Sequence, residues 1–475
     1  MFSRGITKPR SGVLRMTDYD LAIIGWGAAG FAAAIKASEL TSGQMRIALI
    51  GTGPLGGTCV NVGCVPSKLM IEASKTYYEA NHKKYDGISG GASLDFGKFM
   101  ESLNKFVEQE RKGKYTEVIE NFKNVELIEG EASFVGEDTV EVNGMKIKAT
   151  NFLIATGSKT FVPDISGLDD YYTSDTIWNA RELPKKIAIF GSGEVAMEFA
   201  YALSNFGSEV HVFNRHNRVL KGFDDDITGE LMKAMRENGV AFHLGVNYHE
   251  IKTVDGKKDI YTWTGTFTGF DAILISTGRM PNIAKLNLHA ACISTENGIV
   301  TDKHLRTTNR RVYAAGDCVR QSLQLETLAG KEGVIAVENI LGGEKTINLN
   351  EVPWVVFTEP NVASVGQTEK ELITAKKDFT VRVISIKNVV KANILHSYNG
   401  VAKILAGKDG KILGVQVIAP NAAEFITEAV QLVKHGLTYE DLIDTVHVFP
   451  TVAESIKIAG QAFIRDVSKM SCCMD

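Results

Sequence analysis

The sequence predicts an α/β protein: two nucleotide-binding β-α-β domains followed by a C-terminal α+β module. Three observations predict it. A strand, a glycine turn and a helix follow one another twice, at Gly25 and at Gly191. From about residue 346 that fingerprint is absent, and strand-like runs lead into amphipathic helices. The 475 residues allow three domains at roughly 150 residues each. Composition agrees: 44% hydrophobic and 23% charged residues support a buried core. Lys+Arg 52 against Asp+Glu 56 gives a net charge of −4, which excludes the basic footprint of a nucleic-acid binder. No apolar run reaches the ~18 residues of a membrane span.

The first sixteen residues carry four basic and no acidic side chains, without the apolar run of a secretory signal. Residues 1–17 are therefore expected to be a disordered extension, with Met16 as an alternative start. Leu21–Ile24 reads as a strand, and Gly25-x-Gly27-x-x-Gly30 opens an Ala-rich helix. The second copy runs KKIAIFGSGEVAMEF, with Gly191, Gly193 and Ala196 in the glycine positions. Both match the Rossmann-like dinucleotide fingerprint in its proper context. The first glycine permits the turn, the second lets backbone approach a pyrophosphate, and the helix N-terminus faces that anion. After the second unit no acid stands at Asn214, while Arg215 and Arg218 follow. That pattern favours a ribose 2′-phosphate, hence NADPH. The first unit ends on Gly51 where an acid is expected, and Thr52 is a candidate substitute.

Residues 152–158 and 272–282 read as strands ending in Thr-Gly turns, with Thr156, Gly157 and Gly278 at the chain crossings. RVYAAGDC ends a strand on Gly316 and Asp317, an acid suited to ribityl or ribose hydroxyls. The expected domains are 18–155 with 280–345, then 156–279, then an interface module over 346–475. In that module GKDGK reads as a hairpin turn, and helices are expected near 421–436 and 451–465.

Six cysteines are too few for a disulfide scaffold. Cys292 and Cys318 read as structural. Cys59 and Cys64 lie in GGTCVNVGCVPSK, in C-x4-C spacing, with a helix starting near Cys64 or Pro66. A helix N-terminus lowers a thiol pKa, and a short loop allows a reducible disulfide. No second Cys/His pair lies at zinc spacing.

With this segment the chain resembles the pyridine-nucleotide-disulfide oxidoreductases, the flavoproteins that include glutathione reductase, dihydrolipoyl dehydrogenase and mercuric reductase. The likeness covers nearly all of 18–475. It implies FAD in the first nucleotide domain, NAD(P)H in the second, and a C-terminal dimerisation domain. It implies a flavin contact for Cys64 and substrate exchange for Cys59. Lys68 and Glu198 match the ion pair beside flavin N5. Gly30, Gly53, Gly57, Thr58, Ala132, Asp317 and Leu325 fall where the family contacts FAD.

The chain ends SKMSCCMD. Adjacent thiols at Cys472 and Cys473 suit a soft, two-coordinate metal. Such a tail resembles that of the mercuric reductases, where one subunit delivers Hg(II) to the cysteines of the other. Disulfide reductases of the family carry H-x-H-P-T-x-x-E near the C-terminus. Here HVFPTVAE keeps His447 but puts Phe449 at the base position. Phenylalanine moves no proton, which argues against a disulfide substrate. Two tyrosines of the mercuric reductases are replaced, by Phe449 and Glu194, and no N-terminal C-x-x-C domain is seen. The expectation is a cytoplasmic homodimer with a shared active site, reducing Hg(II) with NADPH and FAD. Cys59, Cys64, Cys472 and Cys473 would bind the metal, with no nucleic-acid or membrane partner. The alternatives are an NAD(P)H-dependent disulfide reductase and a non-catalytic metal-binding flavoprotein.

Overall fold

The computed structural model describes residues 16–320 and 323–469. Most of the expected 1–17 extension and the Cys472–Cys473 tail lie outside the described residues. The chain divides into two compact units. One runs to Pro66 and takes in Glu101–Phe161 and Gly278–Ile347; the other takes in Ser67–Met100, Val162–Thr277 and the chain from Asn348.

The first unit opens with β1 (Met16–Ile24), α1 (Ala28–Leu40) and β2 (Ile47–Gly51). Met16 and Thr17 thus begin a strand, because they pair with Lys146 and Ile147. A short helix, α2 (Gly57–Val62), precedes α3 (Cys64–Asn81), whose later residues belong to the second unit. The strands β3 (Val125–Glu129), β4 (Ala132–Gly136), β5 (Thr139–Val142) and β6 (Met145–Ile154) complete a sheet of order β3-β2-β1-β6-β5-β4. Strand Val312–Ala314 adds to β6. The strands β1, β2, β3 and β6 run parallel.

The apolar runs Leu21–Ile24 of β1 and Ile47–Ile50 of β2 are unbroken because both faces are covered. Ala22 and Ile24 pack into one core with Phe134 and Phe152, while Leu21 and Ile23 pack into another with Ala33 and Ile335. The period of two in β1 therefore feeds two cores from one strand. The turn strands Ser158–Thr160 and Arg279–Pro281 pair antiparallel.

In the second unit, Lys186–Phe190 is the centre of a parallel sheet, flanked by Glu209–Asn214 and Ala272–Ile275. The helix α4 (Glu194–Asn205) follows its central strand. A three-stranded antiparallel ribbon spans Tyr248–Phe270. The C-terminal sheet is antiparallel, and its strands Val401–Gly407 and Ile412–Ala419 are joined by the expected hairpin. Helices Ala422–His435 and Glu454–Gln461 answer the amphipathic patterns. A third helix, Tyr439–Asp444, was not foreseen; it is short and closed by a Thr438–Asp441 capping box. Among the described residues no helix is long and apolar enough to cross a membrane.

Candidate functional site

The two glycine loops are built alike. Gly25 has φ +113°, and a Cβ there would lie 2.1 Å from the Ala155 carbonyl oxygen. Gly191 has φ +118°, and its Cβ would lie 2.0 Å from the Ser276 carbonyl oxygen. Only glycine meets either demand. In both loops the second glycine, Gly27 or Gly193, caps the following helix with its backbone only. Each helix N-terminus thus keeps donors for an anion. Gly57 closes over the first loop, for its Cβ would lie 2.6 Å from the Gly27 Cα. Thr156 Oγ1, beside Gly25, is buried without a partner among the described residues. An orphaned hydroxyl and a glycine cradle at one strand end fit a bound dinucleotide, and FAD is the one the likeness implies.

The other expected contacts belong to the same unit. Ser158 donates to Asp317 Oδ2 at 2.7 Å, and Arg279 Nε donates to Ser158 Oγ at 2.8 Å. Gly53 and Gly157 adopt positive φ with open space where a Cβ would stand, and Gly278 does the same. Thr58 is exposed on α2, Ala132 is buried at the start of β4, and Leu325 precedes the helix Glu326–Ile340. Gly316, at φ +76°, donates its N–H to buried Glu332 at 2.6 Å. Glu332 was missed from sequence. Its signal is an acid in register with the buried stripe Leu328, Ala329, Ile335 and Ala336 of that helix.

Burial pushes the Glu332 carboxyl up to about 7; the Gly316 N–H opposes this and the Asp317 charge adds to it. In an unfolded chain it ionises near ~4.3. Between those values the folded protein holds a proton that the unfolded chain has lost. The stabilisation is full below the window and is lost as pH rises through about 7. Glu332→Gln is expected to flatten this, gaining about 3 kcal/mol on the wild type between pH 4 and pH 8. Urea midpoints at both pH values check it; parallel pH profiles would exclude the group.

The paired thiols belong to the first unit. Gly56 (φ +89°) and Gly57 (φ +64°) turn the chain into α2, which carries Cys59, and Cys64 starts α3. Both are free cysteines. The Cys59 thiol is driven well above its ordinary range, first by its hydrogen bond with Cys64, then by burial, then by the charges of Cys64 and Glu326. The bond with Cys64 and burial both favour the protonated thiol at Cys59. Tyr115 stands against this loop, with its ring 3.0 Å from where a Gly56 Cβ would be. Burial raises its phenol to about 12, with Cys59 and Glu326 adding. Arg111 donates to Asn61 at 3.1 Å, and Asn61 donates to the Leu55 and Gly57 carbonyls, so the loop is braced at both ends.

The second unit holds the expected ion pair. Lys68 Nζ lies 2.8 Å from Glu198 Oε2, and Phe357 donates its N–H to Glu198 Oε1 at 3.0 Å. The Phe357 ring lies under the ammonium, 4.5 Å from centroid to Nζ. Burial pushes the Glu194 carboxyl up, and Glu198 one turn on adds to it. Of the two expected phosphate ligands, Arg218 is turned inward. Its Nη2 donates to the Phe223 carbonyl at 2.6 Å and meets Asp225 at 3.2 Å. Arg215 is exposed and reaches Tyr248.

The C-terminal loop is bound at His447 and bare beyond it. His447 Nε2 meets Glu428 at 2.7 Å, which raises the imidazole pKa. Val446, Val448 and Phe449 are 85%, 76% and 52% exposed, so this module presents an apolar rim with no base at Phe449.

Residues 19–333 match the family described as pyridine nucleotide-disulphide oxidoreductase, and residues 352–459 match its dimerisation domain. The mercuric reductase of Bacillus cereus is 39% identical over 96% of this chain and 73% of its own length. That of Streptomyces lividans is 35% identical over 96% of this chain and 98% of its own. The solved Cu(II) complex of the HOCl-induced flavoprotein disulfide reductase RclA from Escherichia coli superposes with a TM-score of 0.84. It shares 26% identity over 94% of this chain and 100% of that one.

Proposed function

From a chain that belongs to the pyridine nucleotide-disulphide oxidoreductase family, we propose a specific activity: the NADPH-dependent reduction of Hg(II) to Hg(0). The observation that carries it is the Cys59–Cys64 thiol pair. Soft thiolates in a close pair bind a soft two-coordinate ion and can also close to a disulfide. The family's cofactors are FAD and NAD(P)H; bound FAD supplies the two-electron relay from the nicotinamide hydride.

This chain's residues do the rest. Gly25, Gly27 and Gly30 seat one pyrophosphate, and Gly191 and Gly193 the other. Glu198 and the Phe357 ring fix the Lys68 ammonium in one place, so its charge is preorganised. Mercury arrives as a dithiolate, Hg(SR)2. The tail thiols Cys472 and Cys473 of a partner subunit take it in two exchanges, each releasing one RSH. Two more exchanges pass it to Cys59 and Cys64. The sum balances as Hg(SR)2 + NADPH + H⁺ → Hg(0) + NADP⁺ + 2 RSH. No step needs a base at Phe449, which sets this substrate apart from a disulfide. The identities to mercuric reductases support the same choice. NADPH is taken in preference to NADH through Arg215 and Arg218, and the protein works as a cytoplasmic homodimer with a shared site.

The test is NADPH oxidation by purified protein with Hg(II) in excess low-molecular thiol, with mercury vapour trapped. Turnover with vapour, crippled in a Cys472→Ala/Cys473→Ala variant under thiol competition, is the expected result. The second reading is a disulfide reductase, favoured by the likeness to RclA. Reduction of oxidised lipoamide without any Hg-dependent turnover would establish that reading instead.

A further inference from the structure

Gly51 ends β2 without the acid expected there, and Trp26 accounts for it. A Cβ on Gly51 would lie 2.4 Å from Cδ2 of the Trp26 indole, with Cγ and Cε2 at 2.7 and 2.8 Å. No aspartate or glutamate fits unless the ring moves. The ring is 6% exposed, and its Nε1 donates to the Thr52 carbonyl at 3.2 Å. The Trp26 carbonyl in turn accepts the Gly56 N–H at 3.1 Å. Trp26 is therefore fastened, by its ring and by its backbone, to the chain that follows the strand end.

A carboxylate at such a strand end hydrogen-bonds the ribose 2′-OH of the dinucleotide. We propose that Trp26 fills the carboxylate slot of the first dinucleotide site, so that this site does not read the 2′-hydroxyl of the adenosine ribose. It takes flavin dinucleotides with or without that hydroxyl. Beside Gly51 the chain offers Thr52, exposed and neutral, and the acid of this end of the sheet, Glu129, stands one strand further out on β3. A neutral hydrogen bond accounts for a few-fold in affinity, whereas one to a carboxylate accounts for roughly 10- to 150-fold. Holding power at this site then comes from the glycine cradle, the helix N-terminus and the groups around Asp317. The inference rests on the reading of this unit as an FAD site.

The experiment strips the flavin and titrates the apoprotein with FAD and with its 2′-deoxyadenosine analogue, reading quenching of flavin fluorescence. The expected dissociation constants agree within about threefold. A Trp26→Ala/Gly51→Glu variant, which empties the slot and supplies the acid, is expected to bind the analogue at least tenfold more weakly than FAD. Should that variant not fold, the wild-type comparison decides alone. Tenfold discrimination by the wild type overturns the proposal and leaves the FAD reading intact. Protein that takes up neither dinucleotide overturns both.

Discussion

Cys59→Ser is expected to lower Hg(II)-dependent turnover on the order of 10³-fold or more. Bound flavin should still be bleached by NADPH at close to the wild-type rate, since the glycine loops and the Lys68–Glu198 pair are untouched. Serine is nearly isosteric, yet its oxygen is hard, stays protonated at neutral pH and forms no disulfide. The variant therefore separates metal chemistry from hydride transfer. Cys64→Ser makes a different cut. The largest influence holding the Cys59 thiol up is its bond with Cys64. Removing that partner should let Cys59 fall toward ~8.5, the ordinary thiol value, and alkylate faster at neutral pH. Stopped-flow flavin absorbance, vapour yield and iodoacetamide rates measure the three effects. Wild-type vapour yield from Cys59→Ser would sink the role given to the pair.

What was legible in the sequence was legible because it is local. Gly25 and Gly191 could be singled out because the turn forces a positive φ and a carbonyl within reach of any Cβ. Cys59 and Cys64 could be found because their spacing is chemistry in itself, and Lys68 because its segment resembles that of the family. The apolar runs of β1 and β2 gave a buried parallel sheet. What was not legible depends on residues far apart in the chain. The absent acid at Gly51 is explained by Trp26, 25 positions away and in contact only through space. Arg218 reads as a phosphate ligand from sequence, and its contacts with Phe223 and Asp225 become visible only in the fold. The helix α2 runs over GTCVNV, a poor helix sequence by propensity, and tertiary packing overrides that weak prior. Phe357 matters through a backbone hydrogen bond to Glu198 and a ring contact with Lys68 that no sequence pattern announces.

Lys403 is the far-reaching case of this kind, and it sets the second large effect. Its strand, Val401–Gly407, reads as uniformly apolar except at this lysine, which is 2% exposed. The ammonium meets Glu369 at 2.7 Å, Asp226 at 3.0 Å and Asp224 at 3.1 Å. Asp224, itself buried, also accepts from Gln416 at 2.9 Å and from the Glu369 N–H at 3.1 Å. Asp224 and Asp226 come from the nucleotide-binding segment, Lys403 and Glu369 from the C-terminal module, so one cation ties the two within the second unit. Burial alone would lower the lysine pKa; the bonds to Glu369, Asp226 and Asp224 outweigh it and hold the value above its ordinary range. Its contribution is full below ~10.4 and is lost only as pH rises through the higher folded value, so neutral pH is the place to measure.

Lys403→Met keeps the stem and removes the charge. It leaves three carboxylates facing one another, one of them buried, at a cost of about 3 kcal/mol, the lower end of the range for an orphaned buried partner. The lower end applies because Asp226 and Glu369 are 37% and 39% exposed and regain water. Adding Asp224→Asn and Glu369→Gln should recover much of the loss, since only Asp226, which is 37% exposed, then keeps its charge without the cation. Urea midpoints of the single and triple variants, with FAD saturating, measure both. A single variant within about 0.5 kcal/mol of wild type would mean that the cluster is solvated well enough to do without its cation.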